Sequence, residues 1–208
     1  MWESEKKMVL EAAQQMVQKG LVVGNAGNVS MRLMEASSRE LVAITPSGRY
    51  YDSLSSNDIV IVDFEGKLVE GKLKPSVETM LHIEIYKARK KVNAIVHSHP
   101  IFSSVAAVAG LEIPAILDDQ VACLGGEIKV AEYASSGSQK MVRNVVSALG
   151  SRNAVIMANH GALSVGIDMR DALTNCEMLE KTAKIFIYAF GLGKINFLPK
   201  YQEYNDIR

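Results

Sequence analysis

Cysteine, tryptophan and histidine are scarce in this chain of 208 residues, with two, one and four copies. Charge of either sign is not in excess, since 23 lysines and arginines meet 23 aspartates and glutamates. Zero net charge excludes the broad basic field that holds nucleic acid or an anionic membrane surface, so an anionic ligand needs a local site. No apolar run nears the ~20 residues that cross a bilayer, and the opening MWESEKKMVLEAAQQ lacks the basic-then-apolar layout of a secretory signal. The chain is therefore expected in the cytoplasm, without a nucleic-acid or membrane partner. Cys123 and Cys176 stand singly in apolar stretches and read as buried thiols rather than a disulfide framework. Repeats, low-complexity tracts and linkers are absent. The length suits one domain over residues 1–208, with 191–208 as a polar and aromatic tail.

What is present alternates between two periodicities. Residues 4–19 carry Met8, Leu10, Ala12, Ala13 and Met16 at helical spacing, with Ser4 as N-cap and Gly20 as stop. Short β-type segments follow at 29–33, 41–44, 59–62 and near Leu68, separated by turns such as TPSG and DFEG. Ser76 is expected to cap a helix through VETMLHIEIYKARK, and Pro100 to open another that runs to Val108. A strand is expected at 128–131, then a helix over 138–149 stopped by Gly150. AVIM and ALSVG read as further strands, and Asp168 caps a long helix to about Phe190. Elements in this order make an α/β sandwich around one mixed or antiparallel sheet.

Two of the four histidines lie at i and i+2 where the apolar strand AIVHSH runs out. Residues two apart in a strand share a face, so His97 and His99 can offer their imidazoles to one ion. His160 follows a second apolar strand and precedes Gly161, which permits close backbone approach or an unusual dihedral. Three imidazoles with an open position describe a catalytic divalent-metal site, zinc above all, because a closed structural zinc site takes four protein ligands. The alternative is that these are ordinary polar strand ends. His82 is read as a partly exposed helix histidine, four residues after Glu78 and able to touch it.

GNAGNVSMR, TPSG, KPSVE, VHSHP and ANHG occur in that order from about Glu3 to Phe190. As an ordered set they resemble the class II aldolase and adducin-head family. The resemblance implies a single-domain three-layer α/β/α sandwich with a mainly antiparallel or mixed sheet, and one Zn2+ on His97, His99 and His160. It implies Glu78 as the acid/base beside the metal. It also implies a phosphate site of Asn25, Gly27, Asn28, Ser47, Gly48 and Ser76. Residue chemistry agrees, since glycines let backbone N–H groups approach an anion, and asparagine and serine offer neutral donors. Two positions depart from the family pattern: Asn25 stands where threonine is usual, and Val77 where a second serine would add a phosphate donor.

The activity so implied is that of a zinc-dependent lyase cleaving a ketose 1-phosphate, such as L-fuculose 1-phosphate, through an enediolate to dihydroxyacetone phosphate and an aldehyde. The same chemistry serves a sugar-phosphate 4-epimerase, a decarboxylase or a dehydratase, and a non-catalytic adducin-like assembly head is the alternative of another class. A second proton donor is sought among Asp118, Asp119, Tyr201 and Tyr204. The resemblance further implies a homotetramer with active sites at subunit boundaries and a small phosphorylated sugar as substrate.

Overall fold

The computed structural model describes residues 2–35 and 38–199. Its centre is an eight-stranded sheet in the order β4-β3-β2-β1-β5-β8-β7-β6. The strands are β1 (Asn28–Met34), β2 (Glu40–Ile44), β3 (Val60–Asp63), β4 (Leu68–Glu70), β5 (Ala94–Ser98), β6 (Val130–Ala131), β7 (Ala154–Met157) and β8 (Gly161–Gly166). Every pairing is antiparallel except β6 with β7. Six helices flank it: α1 (Glu3–Gln18), α2 (Thr79–Ala88), α3 (Ile101–Ala109), α4 (Asp118–Leu124), α5 (Gln139–Leu149) and α6 (Met169–Gly191). This is the α/β sandwich expected from the alternation of periods. Among the described residues no helix is long and apolar enough to cross a membrane.

Strand alternation divides the core into two layers. Val29 and Leu33 of β1 and Ala94 and Val96 of β5 join α1 and the start of α6 on one side. Ile95 of β5 and Leu163 and Val165 of β8 meet α2 and α5 on the other. β5 and β7 are buried on both faces and so read as continuous apolar runs, which is why AIVHSH and AVIM lack polar alternation. Asp168 caps α6 as expected, accepting from Asp171 N at 2.8 Å, and Ser138, expected as the first residue of a helix, caps α5 instead by accepting from Met141 N at 3.1 Å.

Several expectations are corrected. Ser4 lies inside α1, whose N-cap is Trp2 without a side-chain bond; Glu3 and Glu5 instead place negative charge at the positive end of the helix dipole. Ser76 does not cap α2. Its hydroxyl accepts from Glu78 N at 3.2 Å and its carbonyl from Thr79 Oγ1 at 2.6 Å, so it forms a turn that leaves Glu78 in the N-cap position. The strand expected at 128–131 shortens to Val130–Ala131, with Ile128 bridged to Ile113. The short α4 has only two apolar positions on its buried face, Val121 and Leu124, too few for a period to show.

His82 is the largest correction, being fully buried rather than partly exposed. It sits on the face of α2 that meets β1, with its Nδ1 2.6 Å from Ser30 Oγ, which is also 2.7 Å from Tyr86 Oη. Below them the buried Arg32 donates to the carbonyls of Tyr86 at 2.5 Å and Arg89 at 3.2 Å at the end of α2, and pairs with Glu40. A cation on terminal helix carbonyls is favourable for the same dipole reason.

Where β8 ends, Gly166 lies against the first turn of α6. An alanine Cβ there would fall 2.3 Å from Ala172 N and 2.8 Å from Asp168 O, both backbone atoms that cannot turn aside. Gly166→Ala is expected to cost about 1–3 kcal/mol, a Tm drop of about 2–12 °C for a chain of this size, checked by thermal melting.

Candidate metal centre and adjoining cleft

β5 runs between β1 and β8, with His97 opposite Asn28 on one neighbour and Leu163 on the other. His97 and His99 leave the end of β5 on the α2 side of the sheet, as alternation requires. His160 comes from the loop that turns β7 into β8, where Asn159 adopts the left-handed conformation at φ 54°. The three rings lie edge to face, with centroids 4.8, 4.9 and 5.1 Å apart. One ligand atom from each falls within 4.8 Å of the others, within reach of a single ion.

Two close approaches make this possible. At Gly161 a Cβ would lie 2.5 Å from both His99 Cδ2 and Ser98 O. At Gly27, with φ +73°, it would lie 2.4 Å from His97 O. Of the two roles expected for Gly161, close approach is the one it performs. Tyr51, buried and with its hydroxyl pushed up to about 12 by burial, donates to Gly27 O at 2.6 Å and fixes that loop.

The donor set fits a divalent cation. His97 Nδ1 is 2.9 Å from Ala162 O and must donate to it, which leaves the lone pair of Nε2 facing the cluster. His99 Nε2 faces the same point, 3.0 Å from His97 Nε2. Three imidazoles with the remaining direction open to the cleft match the ligand count of a catalytic site.

Glu78 closes one side, almost fully buried. Its Oε2 accepts from Asn28 Nδ2 at 2.8 Å and lies 3.2 Å from His97 Nε2. Its Oε1 accepts from Ser136 Oγ at 2.8 Å and lies 3.5 Å from His160 Nε2. Burial pushes this carboxyl up, but His97, Asn28, His160 and Ser136 together outweigh it and hold the group near about 2. The imidazoles move the other way. Burial lowers His82 to about 3, with His97 adding and Glu78 opposing, and lowers His99 to about 4 with help from His97 and His160. Burial and His97 likewise lower His160. A neutral His99 and His160 beside an ionised Glu78 suit metal binding.

The cleft above these groups measures about 160 Å³, and all the residues expected for an anion site, Asn25, Gly27, Asn28, Ser47, Gly48 and Ser76, line it. Their availability differs. Asn28 is oriented by Glu78, which takes one of its N–H groups, while its buried Oδ1 has no partner among the described residues. Ser47 N donates to Lys74 O at 2.9 Å, so the hydroxyls of Ser47 and Ser76 and the left-handed turn at Gly48 are what that end of the cleft presents. Neither Asp118 nor Asp119 lines this cleft; Asp119 pairs with Lys181 of α6. Tyr201 and Tyr204 lie outside the described residues. Ser136 was not anticipated. Its signal is the ASSGS turn, in which Gly137 at φ +73° brings the loop against Val77 O, where a Cβ would sit 3.0 Å away.

The sequence pattern described as Class II Aldolase and Adducin N-terminal domain matches residues 7–187. The 5-deoxy-D-ribulose 1-phosphate aldolase of Bacillus thuringiensis serovar kurstaki is 31% identical over 198 residues, covering 95% of this chain and 91% of that enzyme. The 5-methylthioribulose-1-phosphate/5-deoxyribulose-1-phosphate aldolase of Rhodospirillum rubrum is 34% identical over 192 residues, covering 92% and 84%. A solved structure of L-fuculose 1-phosphate aldolase matches with a TM-score of 0.89 at 32% identity, over 95% of this chain and 91% of that one.

The glycine approach has a direct test. Gly161→Ala is expected to push the His99 ring away and weaken divalent-metal affinity about 10–100-fold, the usual cost of disturbing the groups that orient a ligand; competition against a chromophoric chelator measures it. The shifts above also share one sign in the metal-free protein. A histidine whose folded value lies below 6.5 contributes fully above that pH and loses stability as pH falls, because the unfolded chain takes the proton first. Glu78 adds stability above 4.5 that is lost as pH falls toward about 2. The urea midpoint is therefore expected to drop steadily between pH 6.5 and 4, His82 alone contributing about 1.4 kcal/mol per pH unit. A flat midpoint across that window would contradict the assignment.

Proposed function

The chain belongs to the class II aldolase and adducin N-terminal domain family, and from that premise we propose that it is a zinc-dependent aldolase cleaving a ketose 1-phosphate to dihydroxyacetone phosphate and an aldehyde. Its relatives are named aldolases of sugar phosphates, and it is a class II aldolase of that kind. The substrates we favour are short ketose 1-phosphates with a small apolar end, L-fuculose 1-phosphate and 5-deoxyribulose 1-phosphate among them. One observation carries the reading. A buried, ionised Glu78 lies between three convergent imidazoles and a cleft edged by glycine and serine turns.

In this mechanism His97, His99 and His160 would hold the ion, which would supply Lewis-acid polarisation of the substrate and opposite charge for the carbanion side of the breaking bond. The hydroxyls of Ser47 and Ser76 and the turns at Gly27 and Gly48, with Asn25 and Asn28, receive the phosphate without a strong positive field. In the condensation direction Glu78 takes a proton from the hydroxymethyl carbon of dihydroxyacetone phosphate. In cleavage it returns that proton to the same carbon. Asn28 and Ser136 each donate to one oxygen of this carboxylate and so fix its orientation. The aldehyde-side proton belongs to a second donor, sought at Asp118 or Asp119 reaching over from a neighbouring subunit, since neither lines the cleft of its own chain, or at Tyr201 or Tyr204 of the tail.

We also propose a cytoplasmic homotetramer with sites at subunit boundaries. Supporting it, the exposed apolar face of α3, with Ile101, Val105 and Val108, adjoins His99 at the mouth of the site. Light scattering giving a monomer mass would overturn this part.

The activity is tested by incubating zinc-loaded protein with dihydroxyacetone phosphate in deuterated water and following exchange at the hydroxymethyl carbon by NMR. Wild type is expected to exchange, and Glu78→Gln to lose about two to four orders of magnitude, the usual contribution of a positioned base. Absence of exchange in wild type would overturn the aldolase assignment in favour of the epimerase, decarboxylase or dehydratase alternatives.

A further inference from the structure

Asn28, Ser30 and Arg32 alternate along one face of β1, while Glu78, His82 and Tyr86 rise one turn at a time along α2. Two residues of strand advance about 6.6 Å and four residues of helix about 6.0 Å, so rungs between the two elements stay nearly in step. Three rungs are made. Asn28 Nδ2 donates to Glu78 Oε2 at 2.8 Å. Ser30 Oγ meets His82 Nδ1 at 2.6 Å and Tyr86 Oη at 2.7 Å. Arg32 donates to Tyr86 O at 2.5 Å, with its guanidinium 5.0 Å from the centre of the Tyr86 ring. The middle rung is wholly inaccessible to water, Ser30, His82 and Tyr86 all being 0% exposed.

Apolar burial between a strand and a helix is non-directional and by itself permits small adjustments of one along the other. A buried hydrogen bond does not, since slipping off the partner leaves a polar group with neither protein nor water. Among the described residues His82 Nε2 has no partner, so the hydrogen bond to Ser30 is what holds this ring there. His82 N also donates to Glu78 O at 3.3 Å, so the backbone that carries the ring carries the carboxylate one turn away.

We propose that Ser30 and His82 are positioning residues for Glu78: their buried hydrogen bond sets how far α2 advances along β1, and with it the placement of the carboxylate against His97 and His160. The inference rests on the role given to Glu78 in the proposed function. Neither residue lines the cleft or is among the proposed metal ligands.

The test compares Ser30→Ala, His82→Leu and His82→Asn, the last keeping a polar group near the place of Nδ1. The probe is deuterium exchange into dihydroxyacetone phosphate by the zinc-loaded protein, read well below each variant's Tm. Ser30→Ala and His82→Leu are expected to lower kcat about 10–100-fold, the scale of an ångström-sized misplacement. KM and zinc content should stay unchanged, and His82→Asn should recover most of the loss. In a Glu78→Gln background, Ser30→Ala is expected to cost nothing further. Crystal structures of Ser30→Ala, or of His82→Leu if the first does not fold, are expected to show the Asn28–Glu78 contact opened from 2.8 Å. A lowered Tm with unchanged kcat, an equal loss in the Glu78→Gln background, or an unmoved Glu78 would each overturn the inference. If Glu78→Gln exchanges like wild type, the functional reading fails instead, and the crystallographic comparison still decides the positioning.

Discussion

A carboxylate removed almost entirely from water must be compensated by what surrounds it, and the site is organised around that requirement at Glu78. Two neutral donors, Asn28 and Ser136, and two imidazole edges meet its oxygens. A cation on the histidines would add the opposite charge that neutral donors lack. The carboxylate and the cation site are in this sense one feature. It spans elements far apart in sequence: β1 and α2 on one side, β5, the β7–β8 loop and the turn before α5 on the others.

The sheet order brings these elements together. β5 sits between β1 and β8, so one strand end can deliver His97 and His99 next to Asn28 on one flank and the His160 loop on the other. The backbones there are closer than side chains usually permit, and two glycines absorb the crowding. Gly27 leaves room for His97 O, and Gly161 leaves room for the His99 ring. A Cβ at either place would move a histidine, so these glycines belong to the site although neither offers a ligand atom.

The sequence made legible what depends on local periodicity and on side chains at strand ends. The two-residue spacing of His97 and His99 and the glycine after His160 marked three positions that the folded chain brings together, and the apolar runs around them marked doubly covered strands. What stayed hidden depends on partners distant in sequence. Ser136 sits 58 residues from Glu78, and no local pattern links a serine-rich turn to a particular carboxylate. His82 was misjudged for the same reason, because helical spacing says which face a residue occupies and not that a serine 52 residues earlier is buried opposite it. Ser76 shows a subtler limit. A serine three residues before a helix can cap it or turn the chain into it, and here the Glu78 N–H takes its hydroxyl and decides for the turn.

The seam between β1 and α2 shows why a polar interface is useful where an apolar one would be simpler. Hydrophobic burial holds α2 on the sheet, through Leu81, Ile83, Ile85 and Tyr86, but it is non-directional. The Ser30, His82 and Arg32 contacts add direction, at a cost in desolvation that apolar residues would avoid. Such a cost is tolerable where position matters more than stability, and the upper end of this seam is the carboxylate of Glu78. A shift that would be harmless at the exposed end of α5 would here change which atoms Glu78 can reach. The polar rungs therefore lie along a helix whose N-terminus enters the cleft, and the packing of α5 on the same layer, through Met141, Val142 and Val145, is apolar.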